Sequence, residues 1–301
     1  MIAAQTDRMS SRHRLGIVGA IMLAVFLLSF AVSAFFAFEF TGPQRRSVRP
    51  LPADFGFAVE AVNFAARDGL RLRGWFVPCD GSVRAAVLLH GNGSTRSQMI
   101  ARARLLRTHG YAVLLYDARG HGESDGERVS FGLFETRDLL GALDYVRSRG
   151  ASEIGCVGAS QGGATIALAA NDLQAVRWVV LESVFPDLTT ALDRRFRHTL
   201  HLPGWFAGIL MQPLAEWRIG ASAREIEPRR LISRLQCPVL ILGGEKDPYT
   251  TAADTRALYS AAPDRKQLWL VPDASHVDLY GAAGRAYERH LVDFLNDATG
   301  H

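Results

Sequence analysis

Ile154-Gly155-Cys156-Val157-Gly158-Ala159-Ser160-Gln161-Gly162 is the stretch on which the reading of this chain turns. Residues 154–157 read as a short buried strand, and residues 161–170 as a helix. Between them, glycines stand two positions either side of Ser160. A strand that turns straight into a helix brings its flanking backbones so close that side chains there would collide, hence glycine at both ends. The serine is thereby held out past the end of the strand. The N–H of Gln161, at the helix start, points where a negatively charged oxygen would form. The bare pattern arises by chance, and an inert serine in a tight turn is its bland reading. With a strand before it and a helix after it, the pattern marks Ser160 as a candidate nucleophile.

A serine needs a base, and the base needs an acid to orient it. For a nucleophile on this kind of turn, the chain order is serine, then acid, then histidine. His276, His290 and His301 lie late enough. His290 falls in the last helix and His301 is terminal, whereas His276 sits in a loop just after an apolar strand at 267–271. The acid should follow the preceding strand, 238–242, where Glu245 and Asp247 compete; Asp247, just before Pro248, has the usual place. Glu182, at the end of another strand, reads as a packing or hydrogen-bonding residue. A second N–H donor to the oxyanion is expected after the strand at 85–89, in His90-Gly91-Asn92-Gly93-Ser94, with Asn92 as the candidate.

Outward from these motifs, short apolar strands alternate with helical stretches. Strands are expected at 57–65, 70–77, 85–89, 111–116, 154–157, 176–181, 238–242 and 267–271, and the first two flank an Asp68-Gly69 turn. Helices fit 99–108, 135–149, 161–170, 252–261 and 283–295. Buried strands alternating with helices give an α/β fold, a mostly parallel sheet covered on both faces. Residues 184–236 break the rhythm. They hold no clear strand but are rich in Leu, Trp, Phe and Arg, and read as a helical insertion lying over the site as a lid. Phe196, Leu200, Leu202, Trp205, Phe206, Ile209, Leu210 and Met211 supply its apolar surface.

The N-terminus is different in kind. After a tail at 1–14, residues 15–38 carry no charge and would make a helix of about 36 Å, enough to cross a bilayer. Val32-Ser33-Ala34 is a passable cleavage site for a signal peptide, but the apolar run is longer than such a peptide needs. A retained transmembrane anchor is therefore expected, with secretion after cleavage as the alternative. Arginines flank the run on both sides and leave its orientation a tie; the catalytic domain is expected on the extracytoplasmic side. Either way the segment reads as an address outside the catalytic fold. Residues 39–54, with three prolines, read as a linker to a domain at 55–301.

Composition excludes several classes. The 301 residues are 48% hydrophobic, which argues against disorder. The net charge of +4 comes from scattered arginines, so no nucleic-acid partner is expected. Cys79, Cys156 and Cys237 fit no zinc or redox spacing. No cofactor and no metal are expected.

Taken together, His90-Gly91-Asn92-Gly93, Asp117-Ala118-Arg119-Gly120-His121-Gly122-Glu123-Ser124, the turn at Ser160, Gly244-Glu245-Lys246-Asp247 and Ser275-His276-Val277-Asp278-Leu279 resemble α/β-hydrolases of the group that includes serine aminopeptidase-like and BEM46-like hydrolases. The resemblance covers residues 57–295. It implies the α/β-hydrolase fold, a Ser160–His276–Asp247 triad and a structural loop at 117–124. A carboxylic ester hydrolase acting on a small-molecule or lipid-like acyl substrate is expected. A peptidase, thioesterase or acyltransferase with the same triad is the alternative, and a non-catalytic binding protein of this fold is the third reading. Serine at the turn argues against haloalkane or epoxide hydrolysis, which use a carboxylate nucleophile on this fold.

Overall fold

The computed structural model describes residues 2–201 and 211–300. Eight strands form one sheet in the order β1-β2-β4-β3-β5-β6-β7-β8. In chain order these are β1 (Glu60–Ala65), β2 (Arg71–Val77), β3 (Arg84–Leu89), β4 (Ala112–Tyr116), β5 (Glu153–Ala159), β6 (Val176–Glu182), β7 (Val239–Gly244) and β8 (Lys266–Val271). The pairs β1–β2 and β2–β4 are antiparallel and all others are parallel. Every expected strand is present, with ends shifted by up to three residues.

Helices cover both faces: α1 (Ile2–Thr41), α2 (Ile100–Thr108), α3 (Glu135–Ser148), α4 (Gln161–Leu168), α5 (Leu188–Arg195), α6 (Gln212–Ile219), α7 (Pro228–Leu231), α8 (Ala252–Ala261), α9 (Leu279–Ala283) and α10 (Arg285–Thr299). Along β3, Ala85, Val87 and Leu89 join one apolar core while Ala86 and Leu88 join the other. This alternation is why the strand reads as a continuous apolar run rather than a half-polar one.

Two parts of the N-terminal reading change. The helix runs on past Phe38 to Thr41 and stops at Gly42-Pro43. It is also more than an address. Ser33, Ala37 and Thr41, one turn apart on one face, are fully buried, and α1 packs against α6. Small residues at that spacing let two helix backbones approach closely. Beside this stripe, Phe36 and Phe40 set their rings 5.9 and 6.3 Å from that of Phe196, and the Arg218 guanidinium lies 4.4 Å over Phe38. The segment that follows is strapped down too. The Gln44 N–H donates to the Gly120 carbonyl, Arg45 to the Ser124 and Gly126 carbonyls, and the Ser97 hydroxyl to the Arg49 carbonyl.

The insertion is helical, comprising α5, a wide turn at Phe196–Leu200, α6 and α7. Phe196 and Met211 are fully buried. Leu202, Trp205, Phe206, Ile209 and Leu210 lie outside the described residues.

Candidate active site

β5 ends at Ala159 and α4 starts at Gln161, so Ser160 makes the whole turn alone. Its backbone lies at φ 50°, ψ −113°, a region L-residues rarely occupy. The Ser160 N–H holds the turn by donating to the Glu182 carbonyl at 2.7 Å. The flanking glycines are sterically required. A Cβ on Gly158 would lie 2.5 Å from the Gly162 carbonyl carbon, and one on Gly162 would lie 2.4 Å from the Leu89 carbonyl oxygen.

The loops after β7 and β8 bring two further groups to this point. His276 Nε2 stands 3.2 Å from Ser160 Oγ, and His276 Nδ1 stands 2.7 Å from Asp247 Oδ2. Asp247 is buried, and its Oδ1 accepts the N–H groups of Tyr249 and Thr250 at 2.8 and 2.9 Å. Its Oδ2 also accepts the Thr250 hydroxyl. Burial raises the pKa of this carboxyl, but the hydrogen bonds and charge attraction from His276, joined by Thr250, outweigh it and hold the net value below the usual aspartate range. The carboxylate is therefore ionised at neutral pH. Glu245 is exposed and takes no part. Glu182 is fully buried in a separate cluster, accepting from Arg102 Nε and Nη2 and from the Tyr287 hydroxyl.

The loop after β3 closes the other side. A Cβ on Gly91 would lie 3.4 Å from the Ser160 Cβ. On either side of Asn92 the backbone donors are paired, Gly91 N–H with Gln98 Oε1 and Gly93 N–H with His121 Nε2. Among the described residues no acceptor meets the Asn92 N–H, and the Gln161 N–H, in the first turn of α4, has no partner within its helix. Asn92 and Gln161 both line the cavity above Ser160.

His90 and His121 brace this loop rather than entering the site. His90 Nε2 accepts the Ala118 N–H and its Nδ1 donates to the Gly91 carbonyl. Burial pushes the pKa of His90 down to about 4, and burial with the neighbouring His90 does the same to His121. Both rings are neutral, as a hydrogen-bonded internal brace requires. Asp117 is likewise internal, receiving the Arg96 and Glu123 N–H groups.

Ser160, His276, Asp247, Asn92 and Gln161 sit together at the carboxyl ends of the parallel strands. The profile of the alpha/beta hydrolase family matches residues 86–289, more than half of the chain. This chain belongs to the alpha/beta hydrolase family. It is similar to the Escherichia coli protein YfhR, 29% identical over 80% of this chain and 82% of that one. It is also similar to Arabidopsis thaliana WAV2, an alpha/beta hydrolase domain-containing protein, at 27% over 81% and 80%. The Pyrococcus furiosus esterase Pf2001 shares the fold, with a TM-score of 0.73 at 23% identity over 86% of this chain and 98% of that one. A thermophilic esterase from Thermogutta terrifontis does so with a TM-score of 0.59 at 20% identity, over 79% and 99%.

Sequence reasoning did not find the aromatic and charged walls of the cavity around the triad, among them Phe40, Phe131, Arg195 and Tyr249. Tyr249 stands edge-on to the His276 ring at 5.3 Å, and the Arg195 guanidinium lies 4.8 Å over Tyr249. Phe131 carried no signal, although its backbone at φ 54° is unusual for an aromatic residue. Among the described residues the side chains contain no cluster of histidine, cysteine, aspartate or glutamate able to hold a metal ion.

Proposed function

We propose that this family member is a serine hydrolase acting on carboxylic esters. One observation carries the reading: the Ser160 Oγ, His276 and Asp247 chain, at 3.2 and 2.7 Å, beneath two N–H groups free to face an oxyanion. His276 Nε2 takes the hydroxyl proton as Ser160 Oγ attacks the acyl carbonyl carbon. Asp247 holds Nδ1–H and stabilises the imidazolium. The Asn92 and Gln161 N–H groups stabilise the negative carbonyl oxygen. The C–O bond to the alcohol then breaks, and His276 protonates the departing oxygen. Water, activated by the same ring, releases the acid from Ser160.

A fluorophosphonate should label the intact protein, and Ser160→Ala should remove the label and cost on the order of 10⁶ in kcat. Label retained by Ser160→Ala sinks the assignment. A panel of ester, thioester and aminoacyl substrates separates the esterase from a thioesterase or peptidase with the same triad.

We also assign α1 as a retained membrane anchor. Residues His13–Thr41 meet the length and composition for crossing a bilayer. The uncharged stretch from Leu15 to Val32, before the buried stripe begins, spans roughly 27 Å by itself, close to the thickness of a hydrocarbon core. The full-length protein should stay with membranes through a carbonate wash, and release into the soluble fraction defeats the assignment. Protease accessibility in intact cells tests the extracytoplasmic placement of the domain, and a mature N-terminus near Phe35 would mean cleavage.

A further inference from the structure

We propose that the last turns of α1 are a wall of the acyl-binding chamber, that Phe40 selects the acyl chain, and that the substrate is an ester of a medium- to long-chain aliphatic acid. The inference rests on the serine-hydrolase reading and adds to it the substrate class.

The cavity above Ser160 and His276 encloses about 560 Å³ when the open solvent of its mouth is included, and its closed part is narrow. Beside it lies a second, tighter space of about 320 Å³ with its open edge likewise included, bounded by Met211, Ala215, Ile219 and Ile226 and also by the polar Thr41, Gln212 and Glu216. The two share Phe40, Phe131, Leu188 and Leu192 as walls. These four apolar side chains form the boundary between the nucleophile's cavity and the second space. A polar alcohol group placed against them would lose its water without gaining partners. An aliphatic chain loses nothing, and each methylene buried strengthens binding roughly fourfold. The acyl part of the ester thus lies against these side chains, and the alcohol part faces the mouth.

Phe40 stands at the junction and is held from behind. Its ring packs 5.8 Å from Phe36 and 6.3 Å from the fully buried Phe196. Its backbone is fixed by the buried Ala37 and Thr41 of the same helix, where the Thr41 hydroxyl donates to the Ala37 carbonyl at 2.6 Å. The ring is thus a rigid wall supplied by the anchor helix.

The test uses the full-length protein in lipid nanodiscs, with p-nitrophenyl esters of two to sixteen carbons. Each preparation is titrated with a fluorophosphonate so that rates are per reactive Ser160. Wild-type kcat/KM should rise with chain length to a maximum at eight carbons or more. Phe40→Ala should move the ratio of twelve-carbon to four-carbon kcat/KM about tenfold toward the longer ester, and Phe40→Trp about tenfold the other way. Phe40→Leu, the mildest change to the packing, should move it in the same direction as alanine but less. Phe35→Ala, on the outward face of α1, should leave the ratio unchanged. A wild-type maximum at two to four carbons overturns the proposal, and so does a ratio indifferent to all three Phe40 variants while the serine still titrates. Protein that takes up no fluorophosphonate overturns the serine-hydrolase reading itself, and this proposal with it.

Discussion

The floor and the roof of the site are built by different physics. The floor comprises the Ser160 turn and the loops bearing Asn92, Asp247 and His276. It is fixed by backbone hydrogen bonds, a buried carboxylate with four donors, and glycines whose neighbours leave no room for a Cβ. The roof comprises the end of α1, α5, Phe196 and α6, and apolar side chains pack it, beside the Arg194 pairing with Asp254 and Thr251 that pins α5. Hydrogen bonds and close packing are directional and tolerate little displacement; apolar contact depends on area and shape and can be repacked. The reacting atoms therefore sit where geometry is fixed most tightly, and the proposed chain selection sits where shape can be altered by repacking.

The sharpest way to break this division is Asp247→Asn. The amide fills the same space, so the fold should survive, while kcat falls on the order of 10⁴ because the imidazole loses its orienting charge. Steady-state kinetics beside a thermal melt decides it; a variant that melts early and keeps its kcat would reverse the roles of floor and roof.

Next comes Met211→Ala in the roof. Met211 is fully buried, so stability should fall by about 2–5 kcal/mol in urea denaturation. A purely pocket-lining residue would shift chain preference and leave the urea midpoint in place.

The braces beneath the floor respond to acid. His121 in the folded chain has its pKa depressed to about 4, below the value of about 6.5 expected unfolded. Its contribution to stability is whole above pH 6.5 and is lost as the pH falls toward 4, by up to about 3 kcal/mol. His121→Gln, which cannot titrate, should flatten the urea midpoint between pH 6.5 and 4.5 relative to wild type. Equal slopes would mean that the ring is not held neutral.

The smallest effect belongs to the competitor acid. Glu245→Gln should change stability by no more than about 0.5 kcal/mol, as an exposed surface change does, and leave kcat within twofold. A loss comparable to that of Asp247→Asn would show that the wrong carboxylate had been chosen.

The same division explains why the floor is legible in the amino-acid sequence and the roof is not. The constraints on the floor leave chemical marks. A turn that excludes Cβ atoms writes glycine at 158 and 162, and serine, acid and histidine then follow in chain order, each just past a strand. Between Glu245 and Asp247 the sequence offers position alone; burial and hydrogen bonding separate them. The roof leaves no such marks, because an apolar run reads the same whether its neighbour is lipid or protein. Residues 15–38 end, to the eye, at the charge of Glu39. That side chain is exposed on a helix that continues, and Phe40 and Thr41 beyond it turn inward. Phe196 and Met211 announce burial without saying against what.

The unbroken passage of α1 into the domain has a kinetic consequence. With no joint between the proposed anchor and the wall of the chamber, the enzyme cannot swivel freely on its tether, and its mouth is held at one height and tilt above the leaflet. Encounter is then a search in two dimensions, and the tether fixes an effective concentration that dilution of the sample does not alter. Turnover should track the mole fraction of ester in the membrane that carries the enzyme, not the amount of ester per volume of buffer.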